Sequence, residues 1–290
     1  MGKREYLVRN YEDDEYGIKE LQNKILEIIE YFDEFCKKND IKYFLMGGSA
    51  LGAARHKGFI PWDDDLDVAL DSENYNKLLS IANIIDDSRF HFQIQNSYEQ
   101  PYYFSKLRMN GTTFLDDFLK KDRNIHRGIF IDIMCFHNAP TSKVLQKKQY
   151  YIAGMLKAKA NLIYGYHTKS IKKKIELFIS NVVVNKFTER LLYNSVVKYD
   201  TKKCDFLGHY FGRAKFQNSV YEKKWFEKQI YVEFENLKLP IPNGINEYLS
   251  LRYGKDFMEM PSKETRKQYK AHSARWSTKI DYKEFKNEKI

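Results

Sequence analysis

The stretch Tyr43–Leu70, YFLMGGSALGAARHKGFIPWDDDLDVAL, decides the fold. Tyr43 to Met46 is an apolar run of buried-strand type that stops at Gly47-Gly48-Ser49. A short helical segment, Ala50 to Arg55, follows, and then a loop with Gly58 and Pro61. The loop leads into Trp62-Asp63-Asp64-Asp65-Leu66-Asp67-Val68, where four carboxylates fall within five positions. Like charges stay that close in a fold only when something offsets them. Read as a strand, the segment sends Asp63, Asp65 and Asp67 to one face and Asp64, Leu66 and Val68 to the other. Three carboxylates on one face suit a hard cation, Mg²⁺ or Mn²⁺, which takes oxygen ligands. A Gly-Gly-Ser turn that opens a helix suits a phosphate, held by backbone N–H groups and the helix dipole. A metal beside a phosphate cradle is the equipment of phosphoryl or nucleotidyl transfer. Either motif alone also fits an acidic surface loop or a plain glycine turn. Their position at the two ends of one strand–turn–helix–loop–strand unit favours a site.

Gly47 to Val68 resembles the signature of the LicD family, whose bacterial members are phosphocholine transferases, with related modules in fukutin-type sugar phosphotransferases. The likeness runs more weakly from Lys19 to His272. It implies an α+β fold: a nucleotidyltransferase-like mixed-sheet core with flanking helices and a helical insertion. On that basis we expect a catalytic core over 1–140, a mainly helical insertion over 141–220, and a C-terminal part over 221–290 that completes the core and the acceptor site.

Composition agrees with a globular chain and narrows its partners. The 290 residues are 43% hydrophobic and 30% charged, which are folded rather than disordered values. The net charge of +10 favours an anionic partner: nucleotide, phosphorylated glycan, nucleic acid or acidic membrane surface. Cys36, Cys135 and Cys204 are scattered and odd in number, so neither a disulfide framework nor a zinc cluster is indicated. The N-terminal MGKREYLVRN has no apolar signal core, and no stretch approaches the roughly 20 apolar residues of a membrane span. A cytoplasmic protein is therefore expected, with peripheral contact at the inner face of the membrane left open.

Residues 1–16, with the acidic knot Glu12–Glu15, read as a surface arm. Residues 17–38 carry apolar positions at helical spacing and end in Lys37-Lys38, which suits a helix C-terminus. A helix from Ser72 to Ile85, a strand over 90–94, and strands over 102–109 and 112–114 follow. Lys106 and Arg108 share one parity, which serves either a solvated strand face or a substrate phosphate. Gly128 to Met134 is an apolar strand interrupted by Asp132, a charge that is costly there unless paired or metal-bound. Phe136 to Pro140 reads as a turn, with His137 structural. Residues 142–199 are helical. In the 170–197 tract, Ile171, Ile175, Phe178, Ile179, Val182 and Val183 line one side, beside Lys169, Lys172, Lys173 and Lys174. That composition suits a membrane surface, but a core-facing helix with a basic outer face is the preferred reading. Asp200 to Ser219 reads as an irregular linker, Ile230 to Phe234 as an alternating strand followed by Glu235-Asn236 and Leu237 to Pro240, Asn246 to Tyr253 as a helix ended by Gly254, and 277–290 as a loose end.

The residues themselves support metal-dependent transfer of a phosphorus group. Asp65 and Asp67 would hold Mg²⁺ or Mn²⁺ with Asp63 assisting, and Asp132 would complete the shell or take a proton. Gly47, Gly48 and Ser49 would cradle donor phosphate. Arg55 or His56 would reach the donor's diphosphate or cap the acidic segment by a salt bridge. The resemblance adds the remainder. A K-x-R followed by Thr recruits Lys106 and Arg108 to the donor phosphate, and the neighbouring-strand carboxylate is Asp132. The tail from Tyr248 resembles the family's C-terminal pattern, although Met260-Pro261-Ser262 replaces its Pro-Pro and His272 comes late after Arg266. Trp62 and His272 remain secondary candidates. The implied reaction moves a phospho-alcohol, phosphocholine first, from a CDP-linked donor such as CDP-choline to a hydroxyl of a cell-surface glycan or lipid-linked glycan precursor (teichoic acid, lipopolysaccharide or capsule), releasing CMP. Phosphoribitol or phosphoglycerol transfer, and nucleotidyl transfer to nucleic acid or protein, are the alternatives. No nucleic-acid-binding module is visible, so no nucleic-acid partner is expected.

Overall fold

The computed structural model describes residues 16–115, 123–166, 168–266, 269, 272 and 275–284. The acidic knot Glu12–Glu15 and the last part of the expected loose end, 285–290, lie outside them. In chain order the elements are α1 (Lys19–Lys38), β1 (Phe44–Leu45), α2 (Gly47–His56), β2 (Asp67–Asp71), α3 (Ser72–Ser80), β3 (Phe90–Gln93), β4 (Ser105–Met109), β5 (Thr113–Phe114) and β6 (Phe130–Ala139). Then come α4 (Lys143–Ile163), α5 (Ile171–Val183), α6 (Thr188–Val197), β7 (Phe206–Gly208), β8 (Val220–Glu222), β9 (Gln229–Phe234), β10 (Leu237–Pro242), α7 (Ile245–Tyr253), α8 (Lys263–Arg266) and β11 (Trp276–Ser277).

The sheet is mixed and ordered β1-β2-β6-β4-β3, with β7 pairing the far end of β6 and β8 pairing β7. β2 runs parallel to β6, whereas β1–β2, β4–β6 and β3–β4 are antiparallel. This is an α+β architecture, as expected. α1 buries Leu21, Ile25, Ile28, Ile29 and Phe32, a stripe at helical spacing, against this sheet. Asp71 caps α3 by accepting the Asn74 backbone N–H at 2.9 Å. The β9–β10 hairpin lies beside β1, and α7 packs on α2, so the C-terminal part returns to the opening unit. α4 and α6, with Val184 just after α5, join Tyr103, Tyr210 and Phe211 in a second hydrophobic cluster.

Several expectations need correction. The Gly-Gly-Ser segment is not a turn before a helix but the first turn of α2 itself. Trp62 ends a turn closed by the Asp63 N–H on Ile60 O, residues 63–66 lie outside any strand, and the strand begins only at Asp67. The turn expected at Phe136–Pro140 is the second half of β6. There His137, Asn138 and Ala139 pair Gly208, Leu207 and Phe206, inside the segment read as a linker. Asp200 makes this possible: its carboxylate accepts from the Asn138 N–H and bonds His137 Nδ1, both at 2.8 Å. The 170–197 tract breaks after Val183, because Asn185 Oδ1 accepts the N–H groups of Phe187 and Thr188 and starts a new turn. α5 is also turned the other way from the preferred reading. Leu177, Ser180 and Val184 face the protein, while the Ile171, Ile175, Phe178 and Val182 stripe is exposed. Finally, Tyr16 is buried against Trp62 at 5.7 Å between rings, and Trp276–Ser277 pairs β5. The ends of the described chain are therefore docked.

Candidate active site

Register places three of the candidate side chains in one row across the sheet. Asp67 of β2 lies opposite Asp132 of β6, and Asp132 lies opposite Lys106 of β4. The Asp132 N–H donates to Leu66 O at 2.9 Å, which ties the extended acidic segment to β6 before β2 formally begins. Ser49 Oγ accepts the Asp67 N–H at 2.8 Å, so the first turn of α2 is fixed to the start of β2. Ser49 is buried in that role rather than lining a cavity. Gly47 sits at φ +56°, where a Cβ is disfavoured, and its N–H donates to Tyr248 Oη at 2.9 Å. A Cβ on Gly48 would stand 2.6 Å from Asp63 Oδ2, so any side chain here would displace that carboxylate.

The alternation read from sequence holds although the strand is short. Asp63, Asp65 and Asp67 line a cavity of about 730 Å³, together with Gly47, Gly48 and Arg55. Asp64, on the other parity, is buried and accepts both the backbone N–H and Nδ1 of His272 at 2.9 Å. His272 Nδ1 also lies 3.5 Å from Asp65 Oδ2. Burial opposes a charge on His272, but the bond to Asp64 and the fields of Asp65 and Asp64 prevail and raise its pKa to about 10. Burial and mutual repulsion push the carboxyls of Asp63 and Asp67 well above the usual range and raise that of Asp65, with His272 offsetting part of the cost.

This oxygen-rich set fits a hard divalent cation. The raised pKa values are those of buried acids short of positive charge, and Asp63, Asp65 and Asp67 supply oxygens from one side. Among the described residues, the tightest convergence of potential ligands is Asp64, Asp65 and His272, whose atoms lie within 4.8 Å of one another. That grouping differs from the expected set of Asp63, Asp65, Asp67 and Asp132. Asp132 is instead in short contact with Lys106 Nζ.

The remaining candidates have defined places. Lys106 and Arg108 are buried, not on a solvated face. Lys106 lies over the Phe130 ring at 3.4 Å, and Arg108 donates to Gly128 O at 2.7 Å. Arg55 lines the smaller cavity but spends Nη1 on Phe257 O and Glu259 O at 3.0 and 2.8 Å, holding that loop. His56 packs edge-on to Trp62 and lines neither cavity, and burial lowers its pKa. Trp62 forms part of the cavity wall and stacks on Tyr269 at 6.4 Å.

A second cavity, about 1360 Å³, opens on the α4–α5 side and shares Asp65, Asp67, Arg213, Arg252 and His272 with the first. Sequence reading missed both arginines. Arg213 lies in the presumed linker, and Arg252 lies one residue before the quoted Tyr253-Gly254. It also missed His209, which lines the larger cavity, is 2% exposed, and has no hydrogen-bond partner on either ring nitrogen among the described residues. Burial, with Arg252 and Lys157 nearby, holds His209 neutral. Asp64 alone left a trace in the sequence, as a charge on the apolar parity that needed a buried partner.

The chain is similar in sequence to known proteins. One relative, the lipopolysaccharide cholinephosphotransferase LicD of Haemophilus influenzae, is 29% identical over 274 residues, covering 89% of this chain and 97% of its own. An uncharacterized protein of Rickettsia prowazekii is 33% identical over 111 residues, 38% of each chain. Residues 40–156, which hold α2, the acidic segment and the Asp67–Asp132–Lys106 row, match the LicD/FKTN/FKRP nucleotidyltransferase domain.

Proposed function

We propose that this protein is a LicD-type transferase that moves a phospho-alcohol, phosphocholine first, from a CDP-linked donor to a hydroxyl of a cell-surface glycan precursor. The observation that carries this reading is the meeting of two cavities at Asp65 and Asp67. A two-substrate transfer needs donor and acceptor to reach one phosphorus from different sides. The relative's activity, choline phosphate transfer to lipopolysaccharide, supplies the chemical class.

In this reading the nucleotide end of the donor lies in the smaller cavity, against Gly47, Gly48 and Trp62. The diphosphate sits at the junction, where Arg213 and Arg252 face it from both cavities. The alcohol end points into the larger cavity. There Phe104, Tyr102 and Tyr164 stack in sequence at 5.5 and 4.8 Å, a wall of ring faces suited to a quaternary ammonium. An acceptor oxygen forms the new bond to the phosphorus that carries the alcohol, the bond to the CMP oxygen breaks, and CMP leaves. Asp132 stands beside Asp67 to take the acceptor proton, and Lys106, its partner on β4, offsets the charge of both carboxylates. Asp63, Asp65 and Asp67, with Asp64 and His272 behind them, would hold a Mg²⁺ or Mn²⁺ ion, whose chemistry is to neutralise charge on the phosphate oxygens.

The test is CMP release by the purified protein with Mg²⁺, offering CDP-choline, CDP-ribitol and CDP-glycerol in turn, with and without a crude glycan acceptor extract. Release from one donor that vanishes in Asp65→Ala with Asp67→Ala is the expected result. Silence from all three donors, with label incorporated from a nucleoside triphosphate instead, would transfer the site to nucleotidyl chemistry.

A further inference from the structure

α5 turns one side into the protein and leaves its richer apolar stripe outside. Leu177, Ser180 and Val184 recur at helical spacing and are buried against the protein. Ile171, Ile175, Phe178 and Val182 recur the same way on the opposite side and are 75, 55, 69 and 62% exposed. Phe187, in the break after α5, is 87% exposed as well. Isolated apolar side chains on a surface need no explanation, but a contiguous row of large ones on one helix does. The row is collared by Lys169, Lys172, Lys174 and Lys186, all exposed. The one acid between 169 and 187, Glu176, is half-buried and paired with Lys173 at 3.0 Å.

We propose that this face docks on an anionic phospholipid surface. The occupant follows from the charge. A second copy of the chain placed face to face would set lysine collar against lysine collar, whereas a bilayer with anionic headgroups accepts the apolar row and neutralises the collar at once. The position of the face agrees. Ile175, Ile179 and Lys172 are also wall residues of the larger cavity, the one that reaches Asp65, Asp67 and Asp132 at its other end. Docking through α5 therefore brings the mouth of that cavity to the headgroup plane, where a hydroxyl on a lipid-anchored acceptor can enter without leaving the membrane. Among the described residues no helix is long and apolar enough to cross a membrane, so the attachment is lateral and reversible.

The experiment is flotation of the full chain with phosphatidylcholine vesicles, with and without phosphatidylglycerol, and without any substrate, so that its outcome is independent of the donor reading. The wild type is expected to float with the anionic vesicles and to be released by salt. Phe178→Ser with Val182→Ser should lower partitioning at least tenfold. Lys169→Glu with Lys174→Glu should lower it by about fivefold per lysine on anionic vesicles. Both variants should keep the wild-type melting temperature, since none of the four side chains is buried. A wild type that fails to float with anionic vesicles overturns the proposal, as does a Phe178→Ser, Val182→Ser variant that floats equally well. Dimeric wild type made monomeric by the same two substitutions would give the face to a second copy and overturn it too.

Discussion

Gly48 shows how tightly the acidic segment is seated against α2. Its Cα faces the Asp63 carboxylate, and the 2.6 Å that a Cβ would leave to Oδ2 cannot be relieved without moving Asp63. Gly48→Ala is therefore expected to lower kcat/KM by about tenfold to a hundredfold, because a misplacement of about 1 Å at a reacting centre can cost about a hundredfold. Helix propensity favours alanine, so the melting temperature should change little. Activity assays beside thermal unfolding separate the two effects, and unchanged kcat/KM would mean that Asp63 is not part of the working geometry. His272 makes a claim on pH. Its folded-state pKa is about 10 against an ordinary 6.5, so its bond to Asp64 contributes stability that is fully present below pH 6.5 and lost as pH rises toward 10. In chelator, His272→Gln should melt below wild type in mildly acidic buffer, and the gap should close as the pH approaches 10. A gap that is constant across this range would show that His272 is neutral in the folded protein.

At the scale of elements, α5 offers the sharpest contrast between neighbours. Leu177 is buried and Phe178 is exposed. Leu177→Ala should cost about 2–4 kcal/mol in urea unfolding. Phe178→Ser should stay within about 0.5 kcal/mol. The opposite order would mean that the helix packs by its other stripe. Sequence singled out the richer apolar stripe of α5 and took it to face in, whereas Leu177, Ser180 and Val184, also at helical spacing, are the buried side. The opening unit was easier to read. An apolar run, a glycine pair and alternating carboxylates are local patterns, and the parity of Asp63, Asp65 and Asp67 survives even where the ladder is missing, since extended backbone alternates its side chains with or without a partner strand. The second half of β6 could not be read this way. Its polar His137 and Asn138 are strand residues because Asp200, far along the chain, satisfies them. The arginines of the site were hidden for a similar reason: Arg213 and Arg252 join Asp65 and Asp67 in lining the cavities only because β7 and β8 pair onto β6 and α7 packs on α2.

For the whole molecule the central quantity is charge. A chain of net charge +10 keeps a knot of carboxylates at the junction of its two cavities, and most of the basic surplus lies elsewhere. His272 and Lys106 neutralise part of that knot. The raised pKa values of Asp63, Asp65 and Asp67 mark the remainder as unbalanced. For an acid whose folded pKa lies above its ordinary value of 3.8, folding is favoured while the proton is held and disfavoured as pH rises past that value. In chelator these three groups therefore subtract from stability at neutral pH. A cation that binds only the folded chain reverses the sign, adding about 2.7 kcal/mol at a hundred times its Kd, enough to raise the melting temperature by several degrees. Mg²⁺ or Mn²⁺ should produce that rise. Asp65→Asn with Asp67→Asn should abolish it, and should melt no lower than the chelated wild type, because the substitutions remove the repulsion together with the ligands. Equal melting of the wild type with and without metal would leave the carboxylates balanced by protons and by His272 and Lys106 alone, and metal would then have no place in this site.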